Sequence, residues 1–175
     1  MKTCGNCGRE TRTQPISRYQ VKKELVGGMH VEVFDAVQEL VCDKCGVLRT
    51  DVPNLPGLMA AVAVMRSNSE RKLCGQEIRF LRKAMDNTAK ELAAHLDTTE
   101  ETISRWENDK LVISNPFERM LRVRACRELG ERTGINWNDN DILYRLKINP
   151  VAAHPKLKLC LVSRRRELWR EQKAA

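Results

Sequence analysis

Four cysteines near the N-terminus carry the plainest chemistry in the sequence. Cys4-Gly5-Asn6-Cys7 and Cys42-Asp43-Lys44-Cys45 are two C-x2-C pairs with 34 residues between them. Two residues between thiols let both reach one ion, and two such pairs complete a tetrahedron of sulfur ligands. A filled shell leaves no position for water or substrate. The expected ion is therefore one structural Zn2+ per chain, with iron–sulfur or redox chemistry as the alternative. Gly8 and Gly46 follow the second cysteine of each pair, where the backbone has to turn tightly around a metal. The total of 7 cysteines is odd, which argues against a disulfide framework. Cys74, Cys126 and Cys160 are scattered and read as buried or partly exposed free thiols.

The elements that must position these thiols are strands. Tyr19, Val21 and Leu25 precede Gly27-Gly28, and Val31, Val33 and Val37 follow it. Apolar residues at alternate positions around a Gly-Gly pair predict a β-hairpin that fills the gap between the two knuckles. Large apolar side chains are few here, so the metal is expected to supply much of the folding energy. Pro53 and Pro56 open a second region, with a helix expected over 57–73. Three short helices are expected between Gln76 and Asn108. Asn115-Pro116 signals another helix start, with Phe117, Met120, Leu121, Ala125 and Leu129 on one face. A helix is expected over about 140–147 and a basic one near 161–172. The fold class is α+β: a zinc-bound β-hairpin domain over 1–54, a helical linker over 55–75, an all-α domain over 76–130 and a helical, basic C-terminal extension over 131–175.

The stretch from Thr88 to Glu107 has the punctuation of two helices meeting at a sharp turn. Thr88 and Glu91 form a capping box. Leu92, Ala93 and Leu96 make the buried face, and Ala93 is small where two helices cross. Asp97 stands where the chain reverses, since aspartate tolerates the left-handed conformation. Thr99 caps the next helix. Ile103 and Trp106 point to the core, whereas Glu101, Thr102 and Arg105 share the exposed face. Gln76 to Ala84 adds Ile78, Leu81 and Met85. A small helical bundle of another kind would show the same spacing, so the pattern alone leaves both readings open.

Residues 76–107 resemble a Cro/repressor-type, XRE-like helix-turn-helix, and Thr102-Ile103-Ser104-Arg105-Trp106-Glu107 is similar to the end of that family's recognition helix. The resemblance implies that Thr99, Thr102, Ser104 and Arg105 face the major groove of double-stranded DNA, where arginine can fork onto guanine. Ala89 stands in place of the family's glutamine, Asp97 in place of its turn glycine, and Glu100 and Glu101 put carboxylates at the groove-facing end. The order of a cysteine pair at the start, a strand-rich insert, a second pair near residue 42 and then this helix-turn-helix resembles the MqsA antitoxin family with its YgiT-type zinc finger. That resemblance covers residues 1 to about 129, with Arg71-Lys72-Leu73 and Gln76 to Arg82 at the join. It implies an N-terminal domain that binds a toxin protein and a C-terminal domain that dimerises on a palindromic operator and represses its own gene. A stand-alone regulator of the same build, phage-linked or otherwise, is the alternative.

Composition sets the outer limits. Hydrophobic residues are 42% and charged residues 31%, which excludes a disordered tail protein. The run from Leu55 to Met65 is too short to span a bilayer, so no membrane association and a cytoplasmic location are expected. His30 reads as a surface or strand residue, His95 as a half-buried packing residue, and His154 has no recognisable partner. With no phosphate loop, acidic metal cluster or Ser–His arrangement, the chain is not expected to be an enzyme. The net charge of +8 is unevenly spread. Residues 75–110 hold six basic and eight acidic side chains, whereas residues 156–175 carry a net +5. The cluster Arg164-Arg165-Arg166 reads as a solvated helix face or as a phosphate-gripping arm, and Leu157, Leu161, Leu168 and Trp169 as a face that packs on something.

Overall fold

The computed structural model describes residues 2–163 and 168–172. Among these, six strands form one sheet, in which β1 (Lys2–Thr3), β2 (Glu10–Gln20) and β3 (His30–Cys42) lie in sequence order. The expected hairpin is β2–β3, and its connection is longer than a two-residue turn. A 3-10 turn over Lys23–Val26 precedes Gly27 and Gly28, both at positive φ. Leu25 falls on that turn and is exposed. A Cβ on Gly27 would lie 2.8 Å from Cβ of Phe80, so only glycine permits this approach to the helical half.

The long strand β3 has two halves. Asp35, at φ 52°, makes a bulge, and the register passes from Ile16↔Val37 to Arg18↔Phe34 with one extra residue on β3. On its inner half, His30 to Phe34 pair in parallel with His30↔Lys156 through Phe34↔Cys160. On its outer half, Gln38 to Cys42 pair with β4 (Gly46–Asp51). Only the inner half is backed by helices. Val31, Val33 and Val37 join the common core, which reaches no further along β3.

The C-terminal extension corrects one expectation. Lys156–Ser163 and Leu168–Glu171 are not helical but strands, β5 and β6. The reason is legible in Lys156-Leu157-Lys158-Leu159, where charged and apolar residues alternate with a period of two. Leu157, Leu159 and Trp169 are buried and Lys156 and Lys158 exposed. The packing face expected of this segment therefore exists, and it lies against the chain's own helices. Trp169 donates its indole N–H to the carbonyl of Asn54 at 3.2 Å. Arg164, Arg165 and Arg166 lie outside the described residues.

Helix α1 (Leu55–Ser67) occupies the centre. Asn54 caps it by accepting from the Gly57 amide at 3.0 Å. It is apolar nearly all round, from Leu58 to Met65, and such a helix is stable only inside a core. The sheet covers one side of it and α5 (Asn115–Leu129) another. Between them lie α2 (Gly75–Ala84), α3 (Ala89–His95) and α4 (Glu100–Glu107), the three short helices expected from sequence. A single π-type turn, Asp141–Arg145, occupies the place expected for a further helix.

Two buried ion pairs lock α1, α2 and α5 together. Arg66 donates to both oxygens of Glu77, at 2.6 and 2.8 Å, and Arg122 reaches Glu118 at 2.6 Å. All four side chains are at most 1% exposed. Arg122 also donates to the carbonyls of Ser67, Ser69 and Arg71, and Arg66 to those of Arg71 and Lys72. These are the free carbonyls of the segment that leaves α1. The Leu73 amide donates to Glu118 at 2.9 Å. Burial alone would raise the pKa of Glu77, but the Arg66 guanidinium and the hydrogen bonds from Cys74 together more than offset it, and the carboxyl is held below its ordinary 4.5.

Each helix of the α2–α4 unit ends on an aspartate in the left-handed conformation, Asp86 at φ 57°, Asp97 at 49° and Asp109 at 54°. Each lets the next amide fold back, as from Thr98 to the Ala93 carbonyl at 3.0 Å. Glycine adopts this conformation without penalty. Asp97→Gly is expected to stabilise the chain by about 0.5 kcal/mol, read from urea unfolding. Asp109→Gly is expected to give no such gain, because Asp109 also accepts from the Gly75 amide at 2.7 Å.

Candidate metal centre and nucleic-acid interface

The outer tip of the sheet gathers the four N-terminal cysteines. Cys4 and Cys7 lie on the turn between β1 and β2, and Cys42 and Cys45 at the β3–β4 turn. The β2–β3 register sets Thr11 against Cys42 and so brings the two knuckles together. All four Sγ atoms lie within 4.8 Å of one another. A zinc tetrahedron with Zn–S near 2.3 Å needs sulfurs about 3.8 Å apart, and Cys7 and Cys42 are 3.5 Å apart. Gly8 and Gly46, at φ 70° and 79°, make the turns expected of them.

Among the described residues no carboxylate or imidazole shares this group, and four soft donors without an open position suit a structural ion. Local electrostatics agree. The amides of Cys45 and Lys44 point at Cys42 and bring its thiol down to about 7, whereas Cys45, beside the sulfur of Cys7, is pushed up to about 12. Thiols so crowded cannot all ionise without a cation among them. The four cysteines can thus hold one metal ion. The remaining thiols behave as expected of structural cysteines: Cys126 is buried and pushed up to about 12 by that burial, and Cys74 is raised for the same reason.

The second constellation is on α3 and α4. Thr88 accepts from the Glu91 amide while Glu91 accepts from the Thr88 amide at 2.7 Å, which is the expected capping box. Thr99 caps α4 by accepting from the Thr102 amide at 3.2 Å, and the two hydroxyls lie 2.9 Å apart. Leu92, Ala93, Leu96, Ile103 and Trp106 are buried, as are Ile78, Leu81 and Met85 of the supporting helix. The opposite side of α4 is open. Thr99, Glu101, Ser104 and Arg105 are exposed and Thr102 partly so. Arg105 donates to Glu101 one turn earlier at 2.6 Å. Asn108 donates to the Ser104 carbonyl at 2.7 Å.

Charge on this unit is more committed than the sequence suggests. Arg79 and Arg82 both hold the buried carboxylate of Glu107, at 3.1 and 2.6 Å, and Arg82 is raised in pKa by that partner. They brace α2 against α4. Lys90, Arg105 and Lys110 remain the exposed cations on α3, α4 and the chain just after them. His95 differs from expectation. It is exposed, and Arg124 of α5 donates to its Nε2 at 3.1 Å. Met120 is also exposed, at 44%, rather than part of the buried face. Leu111 and Val112, just past α4, are exposed as well, at 46% and 74%. Sequence reading missed this apolar group, although Leu111-Val112 beyond a helix end was its one visible sign.

Among the described residues no helix is long and apolar enough to cross a membrane. No curated protein and no solved structure matches the chain. Residues 78–116, from the first turn of α2 to the start of α5, match the family model for a helix-turn-helix. That match and the open face of α4 give the chain a DNA-binding helix-turn-helix of the transcription-regulator kind, beside a four-cysteine sheet tip able to hold a metal ion.

Proposed function

We propose that this protein is a zinc-containing, sequence-specific repressor of transcription. It acts in the cytoplasm as a homodimer on a palindromic double-stranded operator, and it catalyses no reaction. The observation that carries the reading is the uncovered face of α4, with Thr99, Glu101, Thr102, Ser104 and Arg105 on one side and Ile103 and Trp106 anchored on the other. A helix held so firmly from behind can enter a major groove without rearrangement. Two half-sites need two such helices, and Leu111 and Val112, exposed apolar residues just past α4, offer surface for a second copy. Four thiolates support zinc as the ion.

In this reading the protein is the antitoxin of a type II toxin–antitoxin pair. The outer half of the sheet, which lies beyond the common core and is stiffened by the metal, is the surface for the toxin. A second reading, a stand-alone regulator without a toxin, is favoured by β5 and β6, with which the chain covers the inner edge of β3 by itself. Tagged purification from the host at moderate salt separates the two. A small partner encoded next door supports the antitoxin, and recovery of the chain alone supports the free regulator.

The DNA reading is tested at Arg105. Arg105→Ala is expected to cost about 1–3 kcal/mol of discrimination, a loss of roughly tenfold to a hundredfold in affinity for the selected sequence. Its exposed partner Glu101 contributes little to stability, so melting and metal content are expected to stay unchanged. An Arg105→Ala protein that still selects the same operator refutes the role given to α4.

A further inference from the structure

A cleft of about 600 Å3 opens where the 3-10 turn after β2, the start of α1 and the outer side of α2 meet. Its floor is apolar, made by Leu25, Pro56, Met59, Phe80 and Ala84. Leu25 is 52% exposed, so this surface is not covered by the chain itself. The charged groups around it are Glu24, Arg79, Lys83 and Arg132. Arg79 is held by Glu107. Lys83 and Arg132 pair with no carboxylate among the described residues. The turn and α2 are fixed relative to one another, because they meet so closely that a Cβ on Gly27 would lie 2.8 Å from Cβ of Phe80 and 2.9 Å from the Gln76 carbonyl.

We infer that this cleft binds a small organic anion with an apolar body. The size suits such a ligand, since small-molecule sites usually span about 300–1,000 Å3. The apolar floor takes the body by the hydrophobic effect. Lys83 and Arg132 take the carboxylate or a similar headgroup by charge-assisted hydrogen bonds, with Glu24 as the single opposing charge. A free phosphate would leave the floor wet, and a neutral apolar compound would gain nothing from the two exposed cations. The larger cleft of about 780 Å3 beside Trp137 sets Asp141 and Glu171 against Lys156 and Arg170, and that balance selects no charge class.

The test uses the full metal-loaded chain and two probes of one shape, 1-naphthaleneacetate and its uncharged amide, by isothermal titration. The anion is expected to bind one per chain, at least about tenfold more tightly than the amide. The double variant Lys83→Gln, Arg132→Gln is expected to bind both probes alike. Ala84→Trp, which fills the floor, is expected to bind neither. Unaltered melting of each variant shows that the fold is intact, and the two designs act on different walls. Absence of saturable binding, equal affinity for the two probes, or an unchanged preference in the double variant overturns the site.

Discussion

Arg122→Ala is expected to destabilise the chain by about 3–5 kcal/mol, far more than any surface change. Removing the guanidinium strands Glu118, which is fully buried and would keep only Lys72 and the Leu73 amide. It also takes donors from the carbonyls of Ser67, Ser69 and Arg71. A domain of ordinary stability has about 5–15 kcal/mol to lose. For a chain of this size each kcal/mol moves the melting point by roughly 2–4 °C, so a drop of about 10 °C is expected. Hydrogen exchange should quicken first over residues 67–74, the segment these carbonyls belong to. Arg122→Met paired with Glu118→Leu distinguishes the charge from the carbonyls. It removes the stranded carboxylate but still takes the Arg122 donor from the Ser67 and Ser69 carbonyls, so only part of the loss should return. A loss below about 1 kcal/mol for Arg122→Ala would mean that water enters and replaces the arginine.

The arginine lattice shows where sequence reading reaches its limit. Caps and knuckles are local chemistry: Thr88 with Glu91, Thr99 before Glu100, and two C-x2-C pairs each declare themselves within four residues. The apolar anchors of the helix-turn-helix follow from helical spacing alone. Arg66 and Arg122 give no such sign, because a charged residue reads as solvated until its partner is known to be buried with it. Glu77 comes from another helix, and Glu118 stands one turn before Arg122 on α5, a pair that reads as a surface one until α1 lies across it. The strands β5 and β6 were hidden differently. Their alternation is short, and the basic residues around it look like a helical face until β3 is available to pair with. His95 and Met120 stand at helical spacing among core residues, yet both face outward, His95 from α3 and Met120 from α5. Local signals located the candidate site, and long-range pairing determined what holds it in place.

Cys42→Ser should show how separable the two halves are. Metal content is expected to fall from one ion per chain to none, since three thiolates at an exposed tip leave zinc a weak site. The binding free energy of a structural zinc is about 10–16 kcal/mol in small zinc peptides, and it is folding free energy for whatever the metal organises. Here that is the outer half of the sheet. Beyond the bulge at Asp35, the core reaches only Val37 on β3 and Ile16 on β2, and the rest of the ribbon buries little without the metal. The inner half is held otherwise, by β5, by Gly27 against Phe80 and by α1. Amide exchange should therefore quicken over residues 2–16 and 37–51 while α2 to α5 keep their protection and a cooperative transition. A chelator should act as the substitution does. Binding to the selected operator should persist in both cases, and capture of a toxin should not, if the ribbon is its surface. Collapse of the whole chain on losing the metal would show instead that the sheet tip and the helix-turn-helix fold as one unit, so that metal supply itself controls DNA binding.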